Sequence, residues 1–169
     1  MTPRICYSTL TTPIGDLLLT SNGAALTGVY FEGRTPDASW QEDDEILREA
    51  REQLAVYFAG TLTEFTLALA PSGTPFQMRV WEELNGIPFG TTISYGEQAR
   101  RLDRPSASRA VGSANGRNPI PVVVPCHRVI GAGGGLTGFG GGLDRKKWLL
   151  EHEAAVLAAL GARAFQGVG

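Results

Sequence analysis

The sequence is poor in the residues from which disulfide frameworks and metal sites are built. Its 169 residues include two cysteines, Cys6 and Cys126, and two histidines, His127 and His152. One cysteine pair is too few for a disulfide framework. Neither a C-x-x-C nor an H-x-x-x-H spacing occurs, and neighbouring side chains of an extended strand point to opposite faces. The sequence therefore predicts no metal site and no cofactor.

Long apolar runs are also missing. No window is long and apolar enough to span a membrane, and the N-terminus lacks the basic segment and apolar run of a signal peptide. The length suits one large domain or two small domains that share a core. We expect a cytoplasmic protein without membrane contacts.

A strong excess of basic charge is absent, but the charges are unevenly distributed. The formal net charge is −2, which argues against a strongly basic nucleic-acid binder. Residues 32–64 contain nine acidic residues and three arginines, whereas residues 100–128 contain six arginines and one acid. The basic segment permits contact with a polyanion on one face of the protein. A solvated charged surface is the alternative.

The N-terminal part of the chain has the pattern of antiparallel strands and one helix. Strands are predicted at 5–10, 14–20, 25–31 and 65–69. Asn22-Gly23 lies between two apolar runs and is a strong hairpin signal, because both residues tolerate positive φ. A helix is predicted over 43–59, with Ile46, Ala50, Leu54 and Phe58 on its buried face. The segment 71–74 resembles a linker, which predicts domains at 1–72 and 73–169.

The C-terminal part has helical patterns with strong start signals. The predicted N-caps are Thr74, Ser94, Ser106 and Asp144. The two short central helices, ending near 102 and 115, form a helix-turn-helix candidate. The second of these is rich in small residues, and its one long side chain is Arg109. Close packing against another helix explains this composition, and sequence-tolerant binding in the minor groove of DNA is the functional alternative.

The most unusual stretch is residues 118–130. A run of valines, Val122 to Val124, predicts a strand that ends at Pro125-Cys126-His127. Eight of the twelve residues that follow, 131–142, are glycine. This loop contains a G-x-G-x-x-G pattern, but it does not join a strand directly to a helix, so a dinucleotide site is not predicted. A loop whose backbone approaches a ligand closely is the better interpretation.

A reactive thiol needs a base, because a free cysteine is only a few per cent ionised near pH 7. His127 follows Cys126 directly and points away from it on an extended segment, so we expect a water molecule to bridge them. Glu153 on the last helix is a candidate to orient the imidazole, and Glu151 and His152 are alternatives. A surface charge is the structural alternative for Glu153. Asn118 precedes a proline, and is either a turn residue or a hinge.

Together these motifs resemble the O6-alkylguanine-DNA alkyltransferases (methylated-DNA–protein-cysteine methyltransferases). Pro125-Cys126-His127-Arg128-Val129 is similar to the active-site motif of that family. Further similar segments lie at 12–15, 93–96, 108–112, 118–119 and 136–142, so the resemblance covers nearly the whole chain. It implies an α+β fold, with a small antiparallel sheet and a helix in an RNase H-like N-terminal domain. The C-terminal domain would be mostly helical and contain a winged helix-turn-helix.

The resemblance also implies roles for individual residues. Cys126 would accept the alkyl group, His127 would act as base through water, and Glu153 would hold His127. Asn118 would be the hinge, and Tyr95 would rotate the phosphate of the nucleotide and protonate the departing guanine. DNA contacts are implied for Arg109, Tyr95, Ser94, Ala107, Ser108, Gly112, Asn115 and Arg128. A base pocket is implied for Val129, Phe139, Gly140 and Pro121.

Two departures from the family pattern matter. Many members have a tyrosine where this chain has Phe139, so a hydroxyl contact is lost and stacking remains. Some members bind zinc in the N-terminal domain, but this chain has no histidine there and only Cys6. Zinc is therefore not expected.

The implied function is direct-reversal repair of double-stranded DNA that contains O6-alkylguanine, and O4-alkylthymine is a second candidate substrate. The product would be a thioether, which has no electrophilic carbonyl for water to attack, so we predict a single turnover. A monomer is expected, and the sequence leaves open whether it assembles cooperatively on DNA. The alternatives are a lesion sensor without catalysis, a helix-turn-helix regulator and a cysteine hydrolase. Cys126 argues against the sensor, and a Cys-His pair is unexplained in a regulator.

Overall fold

The N-terminal part of the protein is a four-stranded sheet. The computed structural model describes residues 4–166, so the outermost residues of both predicted domains, 1–3 and 167–169, lie outside the described residues. The strands are β1 (Cys6–Thr12), β2 (Gly15–Ser21), β3 (Leu26–Tyr30) and β4 (Gln41–Glu42). Their order is β3-β2-β1-β4, with β4 parallel to β1 and the other pairs antiparallel. None of the predicted strands corresponds to β4.

The predicted hairpin between β2 and β3 is confirmed. Asn22 Oδ1 accepts hydrogen bonds from the amides of Ala24 and Ala25, each at 2.9 Å. Gly23 has a φ of +95°, a conformation that glycine adopts without steric cost. The turn residues therefore form the local structure that their sequence predicts.

Helix α1 (Arg48–Phe58) begins five residues later than predicted at 43. The carboxylate of Asp43 accepts hydrogen bonds from the amides of Glu45 and Ile46, which forms a separate turn instead of the first turn of the helix. Ile46 is consequently 44% exposed and does not belong to the buried face. Gly60, with a φ of +87°, follows the end of the helix, where glycine adopts the left-handed conformation without steric cost.

The predicted strand at 65–69 is wrong. The segment contacts β3 through one isolated bridge between Leu26 and Leu69, and the rest is irregular. The side chain of Gln53 accepts from the amide of Thr66 at 3.0 Å and donates to its hydroxyl at 2.9 Å. A side chain of α1 thus satisfies backbone that a neighbouring strand would otherwise have paired.

The C-terminal part is mostly helical, as expected. Its elements are α2 (Pro75–Leu84), β5 (Ile93–Ser94), α3 (Tyr95–Arg101), α4 (Ser108–Gly116), β6 (Val129–Ile130) and α5 (Leu143–Gln166). Thr74 and Gln77 form a reciprocal capping box at the start of α2. The indole of Trp81 donates to Ala114 O at 2.8 Å, which fixes α2 against α4. The short strands β5 and β6 pair in parallel.

Two predicted helix starts in this part are wrong. Helix α4 follows Ala107 without a side-chain cap, so Ser106 does not cap it. Asp144 lies inside the first turn of α5, where a carboxylate stabilises the helix end without being its cap. Ser94 does cap α3, because its hydroxyl accepts from the amide of Glu97 at 3.1 Å. The buried residues of both parts form one hydrophobic core.

Candidate active site

The segment that carries Cys126 is a tight turn, and the predicted strand at 122–124 is wrong. Val122 is fully buried and has a φ of +74°, a true outlier for a β-branched residue. Such a conformation costs about 1–3 kcal/mol and persists only where the surroundings fix it. The amide of Val124 donates to Ile120 O at 2.9 Å, and a short 3₁₀ helix follows at Cys126–Arg128. The turn therefore directs the chain into the protein interior at Cys126.

Asn118 connects the end of α4 to this turn. Its amide nitrogen donates to Val124 O at 2.8 Å, and its oxygen accepts from the amide of Ile120 at 3.0 Å. Both groups of the side chain are thus used to hold the turn. The position fits the predicted hinge, since one side chain joins the helix to the segment that bears the thiol.

The thiol of Cys126 is buried, with 6% of the residue exposed. Burial raises its pKa to about 11, against smaller opposing effects of the Asn118 amide and the charge of Lys146. The resting protein therefore holds a protonated thiol at neutral pH. A base is needed before this sulfur acts as a nucleophile.

His127 and Glu153 form a fully buried pair next to this cysteine in the chain. His127 Nε2 lies 2.7 Å from Glu153 Oε2. Burial lowers the pKa of His127 most strongly, and the bond to Glu153 opposes this. Because the carboxylate can only accept, Nε2 carries the proton of the neutral ring, and Nδ1 has a free lone pair without a partner among the described residues. The structure thus brings together an acceptor nitrogen and its predicted orienting carboxylate.

Arg128 does not lie where a DNA contact was predicted. Its side chain is buried, with Nε 2.8 Å from Glu153 Oε1 and Nη2 3.0 Å from Oε2. Nη1 donates to Ile87 O at 2.7 Å. The predicted DNA contact of Arg128 is wrong, because its guanidinium is bonded to Glu153 and to Ile87 O inside the protein. Burial raises the pKa of Glu153, but the bonds and charges of His127 and Arg128 outweigh it and hold the pKa well below its usual range.

The alternatives to Glu153 on α5 point elsewhere. His152 Nε2 lies 2.8 Å from the carbonyl oxygen of Tyr57, and its ring stacks on Trp148. Glu151 is exposed and lies 3.9 Å from Lys147. Neighbouring helix residues differ in direction by about 100°, which explains why one of the three faces the active site.

Lys146 is a site residue that the sequence reasoning missed. Its Nζ donates to Val129 O and Thr137 O, both at 2.7 Å, and lies 3.5 Å from the hydroxyl of Tyr95. Tyr95 in turn donates to Thr137 O at 2.9 Å. The spacing on α5 could have indicated its burial. Lys146 is three residues before the buried Leu149 and seven before Glu153, so the three lie on one face of the helix.

A groove of about 330 Å³ lies between α3, α4 and the glycine-rich loop. It is lined by Tyr95, Ser108, Arg109, Gly112, Thr137 and Gly138. Arg109 is exposed, and Ser94 and Ala107 are partly exposed nearby in the sequence. The small residues of α4 that line the groove, Ser108 and Gly112, are partly exposed, as contact with DNA requires.

Asn115 does not belong to this surface. It is 2% exposed, and its amide exchanges two hydrogen bonds with Gln98, at 2.7 and 3.2 Å. These bonds join α3 to α4 across their interface. The predicted DNA contact of Asn115 is wrong, because its polar groups are used inside the helix pair.

A second cavity, of about 420 Å³, reaches Cys126. The predicted pocket residues Pro121, Phe139 and Gly140 line it, together with Asn118. Val129 is fully buried and is not among the lining residues, so its place in the base pocket stays a prediction. Tyr30, Phe31 and Arg34 also line it. No sequence signal pointed to these three, because they reach the cavity through β3, whose Val29 amide donates to Pro119 O at 2.9 Å.

Within residues 4–166, no group of three His, Cys, Asp or Glu side chains is arranged to hold a metal ion. No helix in the same range is both long and apolar enough to cross a membrane.

Comparison with known proteins identifies both parts of the chain. Residues 5–71 match the family model of the ribonuclease-like domain of 6-O-methylguanine DNA methyltransferase, and residues 75–155 match the model of its DNA-binding domain. A methylated-DNA–protein-cysteine methyltransferase of Methanosarcina acetivorans is 51% identical over 154 residues, which cover 88% of this chain and 98% of that protein. One from Mycobacterium bovis is 51% identical over 88% of this chain and 92% of its own length.

Solved structures agree with this assignment. The structure of Mycobacterium tuberculosis OGT in complex with DNA has a TM-score of 0.85 and 50% identity, and the match covers 89% of this chain and 94% of that one. The O6-methylguanine-DNA methyltransferase of Pyrococcus kodakaraensis has a TM-score of 0.65 at 27% identity, over 88% and 98% of the two chains. The predicted fold class is therefore confirmed, and the chain belongs to the 6-O-methylguanine DNA methyltransferase family.

Proposed function

We propose that this protein repairs DNA by direct reversal, moving the alkyl group from O6 of guanine to Sγ of Cys126. The observation that carries this function is the placement of the thiol. Cys126 reaches a cavity of about 420 Å³, and the next residue in the chain, His127, is bonded to the buried Glu153. The names of the relatives, which are methylated-DNA–protein-cysteine methyltransferases, support the same reaction.

The lesion has to leave the duplex before it can reach this sulfur. Rotation of a nucleotide out of the stack costs a few kcal/mol, and less where pairing is already damaged. The groove at α4 and the cavity at Cys126 share the glycine-rich loop, with Gly138 on the first and Phe139 on the second. Arg109 at the groove fills the space that the base leaves, and Phe139 stacks on the flipped base.

The base in this reaction is His127. With a pKa of about 11, only about one thiol in 10⁴ is ionised at pH 7, so the proton has to be removed as the sulfur attacks. His127 Nδ1 accepts that proton through a bridging water, and Glu153 stabilises the imidazolium that forms. Asn118 holds the turn on which the sulfur sits.

The alkyl transfer itself is a displacement at carbon. The Sγ–C bond forms as the C–O6 bond breaks, and the guanine takes the electron pair of that bond. Tyr95 gives its hydroxyl proton to the departing guanine. The ammonium group of Lys146, 3.5 Å from that hydroxyl, stabilises the phenolate left behind. The thioether product has no group that water can attack, so each molecule reacts once.

We also propose that a monomer is the reacting species on double-stranded DNA. The domain boundary is at residues 72 and 73, which is supported by the family matches that end at 71 and begin at 75. Cooperative assembly on DNA and repair of O4-alkylthymine are extensions of this function. They require separate binding and transfer measurements.

The direct test is transfer of labelled methyl from a duplex with one O6-methylguanine. We expect transfer to stop near one equivalent, with the label on the peptide that contains Cys126. Cys126→Ser abolishes the transfer, whereas Cys6→Ser, the matched control at a buried cysteine of β1, retains it. Lesion binding without transfer would identify a damage sensor. Binding without lesion preference would identify a regulator, and repeated turnover of an ester would identify a hydrolase.

A further inference from the structure

The Glu153 carboxylate is bonded by residues from both parts of the protein. Its Oε2 accepts from Tyr57 at 2.6 Å, and lies 2.7 Å from His127 Nε2 and 3.0 Å from Arg128 Nη2. Its Oε1 accepts from Arg128 Nε at 2.8 Å and from the Gly90 amide at 3.1 Å. The Tyr57 hydroxyl is the contribution of the N-terminal domain, from 96 positions earlier in the chain. The Tyr57 hydroxyl and His127 Nε2 therefore bond the same carboxylate oxygen, Glu153 Oε2.

The surroundings of Tyr57 fix the direction of its hydroxyl. The side chain lies on α1 and is fully buried. Its ring packs against Phe65, Phe89 and His152, at centroid distances of 5.4, 6.1 and 5.3 Å. Burial and the Glu153 charge raise the pKa of Tyr57 far above its usual range. The hydroxyl therefore stays protonated and donates its one hydrogen to Glu153 throughout the working pH range.

We propose that Tyr57 is a positioning residue for alkyl transfer, which sets the proton affinity of the His127–Glu153 pair from the N-terminal domain. The inference rests on the proposed function, in which neutral His127 takes the proton of Cys126. A hydrogen bond to a carboxylate stabilises its charge and so reduces its attraction for other protons. Tyr57 thereby weakens the hold of Glu153 on an imidazolium and keeps His127 neutral at lower pH.

The sign of the effect follows from this competition. Without the Tyr57 hydroxyl, the charge on Oε2 is shared by fewer donors, so it stabilises the imidazolium more strongly and the pKa of His127 rises. The acid limb of the transfer rate then moves to higher pH, because protonated His127 cannot act as base. The other groups that act on His127 are Arg128 and Lys146, which oppose its protonation, and they are unchanged.

A purely structural role for Tyr57 predicts a different outcome, which two variants distinguish. Tyr57→Phe keeps the ring and its packing and removes the hydroxyl alone. Leu54→Ala removes a fully buried side chain from the same helix and leaves every hydrogen bond of Glu153 in place. Both variants lower the melting temperature. Tyr57→Phe alone is expected to alter the pH dependence of transfer.

The experiment measures single-turnover methyl transfer from duplex DNA against pH, at a temperature where all the proteins are folded. For Tyr57→Phe we expect the midpoint of the acid limb to move up by about one pH unit. At a pH below that midpoint, transfer should then be about tenfold slower than in the wild type. NMR titration of the histidine rings reports the same upward shift of His127 without any substrate. Leu54→Ala leaves both the limb and the titration unchanged.

A second variant gives the opposite sign and does not remove a bond. Tyrosine fluorinated beside the hydroxyl, placed at position 57 alone, is a stronger donor, and the acid limb should move to lower pH. An unchanged limb and titration in Tyr57→Phe, or an equal shift in Leu54→Ala, would overturn the inference while the function stands. Absence of transfer in the wild-type protein would overturn the function itself, and the titration would still test Tyr57.

Discussion

Replacing Glu153 by glutamine changes the shape of the side chain little but removes its charge. The new amide nitrogen has to take the place of Oε1 or of Oε2. At Oε1 it meets Arg128 Nε and the Gly90 amide, and at Oε2 it meets Tyr57, His127 and Arg128 Nη2. Donor faces donor in either orientation. Arg128, which is 7% exposed, is also left as a buried cation without its anion.

The expected cost follows from that unpaired cation. Breaking a buried ion pair by removing one partner destabilises a protein by about 3–5 kcal/mol. For a chain of 169 residues, each kcal/mol lowers the melting temperature by about 2–4 °C, so Glu153→Gln should melt about 6–20 °C lower. Calorimetry in the absence of DNA measures this change. The methyl-transfer assay should show a large loss of rate, because His127 loses the carboxylate whose charge stabilises its protonated form.

The double variant Glu153→Gln/Arg128→Met separates the charge from the packing. Methionine fills the space of the arginine without its charge, so the double variant should be more stable than the sum of the two single changes predicts. Methyl transfer should remain impaired in it, because His127 still lacks the carboxylate. A melting temperature for Glu153→Gln within about 2 °C of the wild type would refute the reasoning, since that corresponds to less than about 1 kcal/mol. Strict additivity in the double variant would refute the account of an unpaired buried charge.

Three further outcomes are expected. Arg109→Ala should slow transfer from duplex DNA, because the arginine fills the space that the flipped base leaves in the duplex. Transfer from the free O6-alkylguanine base needs no flipping and should be unchanged, so equal slowing with both substrates contradicts this role. Lys146→Met should lower stability by about 1–3 kcal/mol, measured by urea unfolding, because the carbonyls of Val129 and Thr137 lose their donor; an unchanged unfolding midpoint would exclude this contribution. The free energy of unfolding should decrease on both sides of about pH 6.5–9.0. On the acid side the folded pKa values of His127 and Glu153 are lowered, so stability that is present above their unfolded values is lost as pH falls. On the alkaline side the pKa of Cys126 is raised from 9.0 to about 11, so stability is lost as pH rises through that interval. Cys126→Ser should remove that alkaline contribution and leave the acid decrease, and urea titrations across pH measure both.

Local signals were sufficient for much of the fold. Asn22-Gly23 and the Thr74-Pro75 start are short motifs whose geometry depends on neighbouring residues, and both form as predicted. Where a side chain offered a competing bond, the prediction failed. Asp43 bonds its own turn and delays α1, and Gln53 satisfies the backbone where a strand was expected. Propensity gave the type of element, and these side chains determined where it began.

The reactive centre was predictable in part, for a related reason. Cys126 and His127 are adjacent in the chain, whereas Glu153 was one of three candidates on the last helix, and the family resemblance gave it its role. Tyr57 reaches the site because α1 packs against α5, and Phe31 reaches it because the neighbouring strand β3 bonds to Pro119; no spacing in the sequence encodes these contacts. Arg128 shows the converse. Its charge suggested DNA, but its neighbour in space is a buried carboxylate.

Val122 shows why the wrong prediction at 122–124 coincides with the site. Three consecutive β-branched residues favour a strand, and in a strand the side chains of Cys126 and His127 would point to opposite faces. The observed turn places Val122 at positive φ, and complete burial together with the bonds of Asn118 and Ile120 stabilises it there. The 3₁₀ helix that follows turns both the thiol and the imidazole inward. A strained backbone is thus retained where the chemistry requires two neighbouring side chains inside the protein, and a general preference for strand cannot predict it.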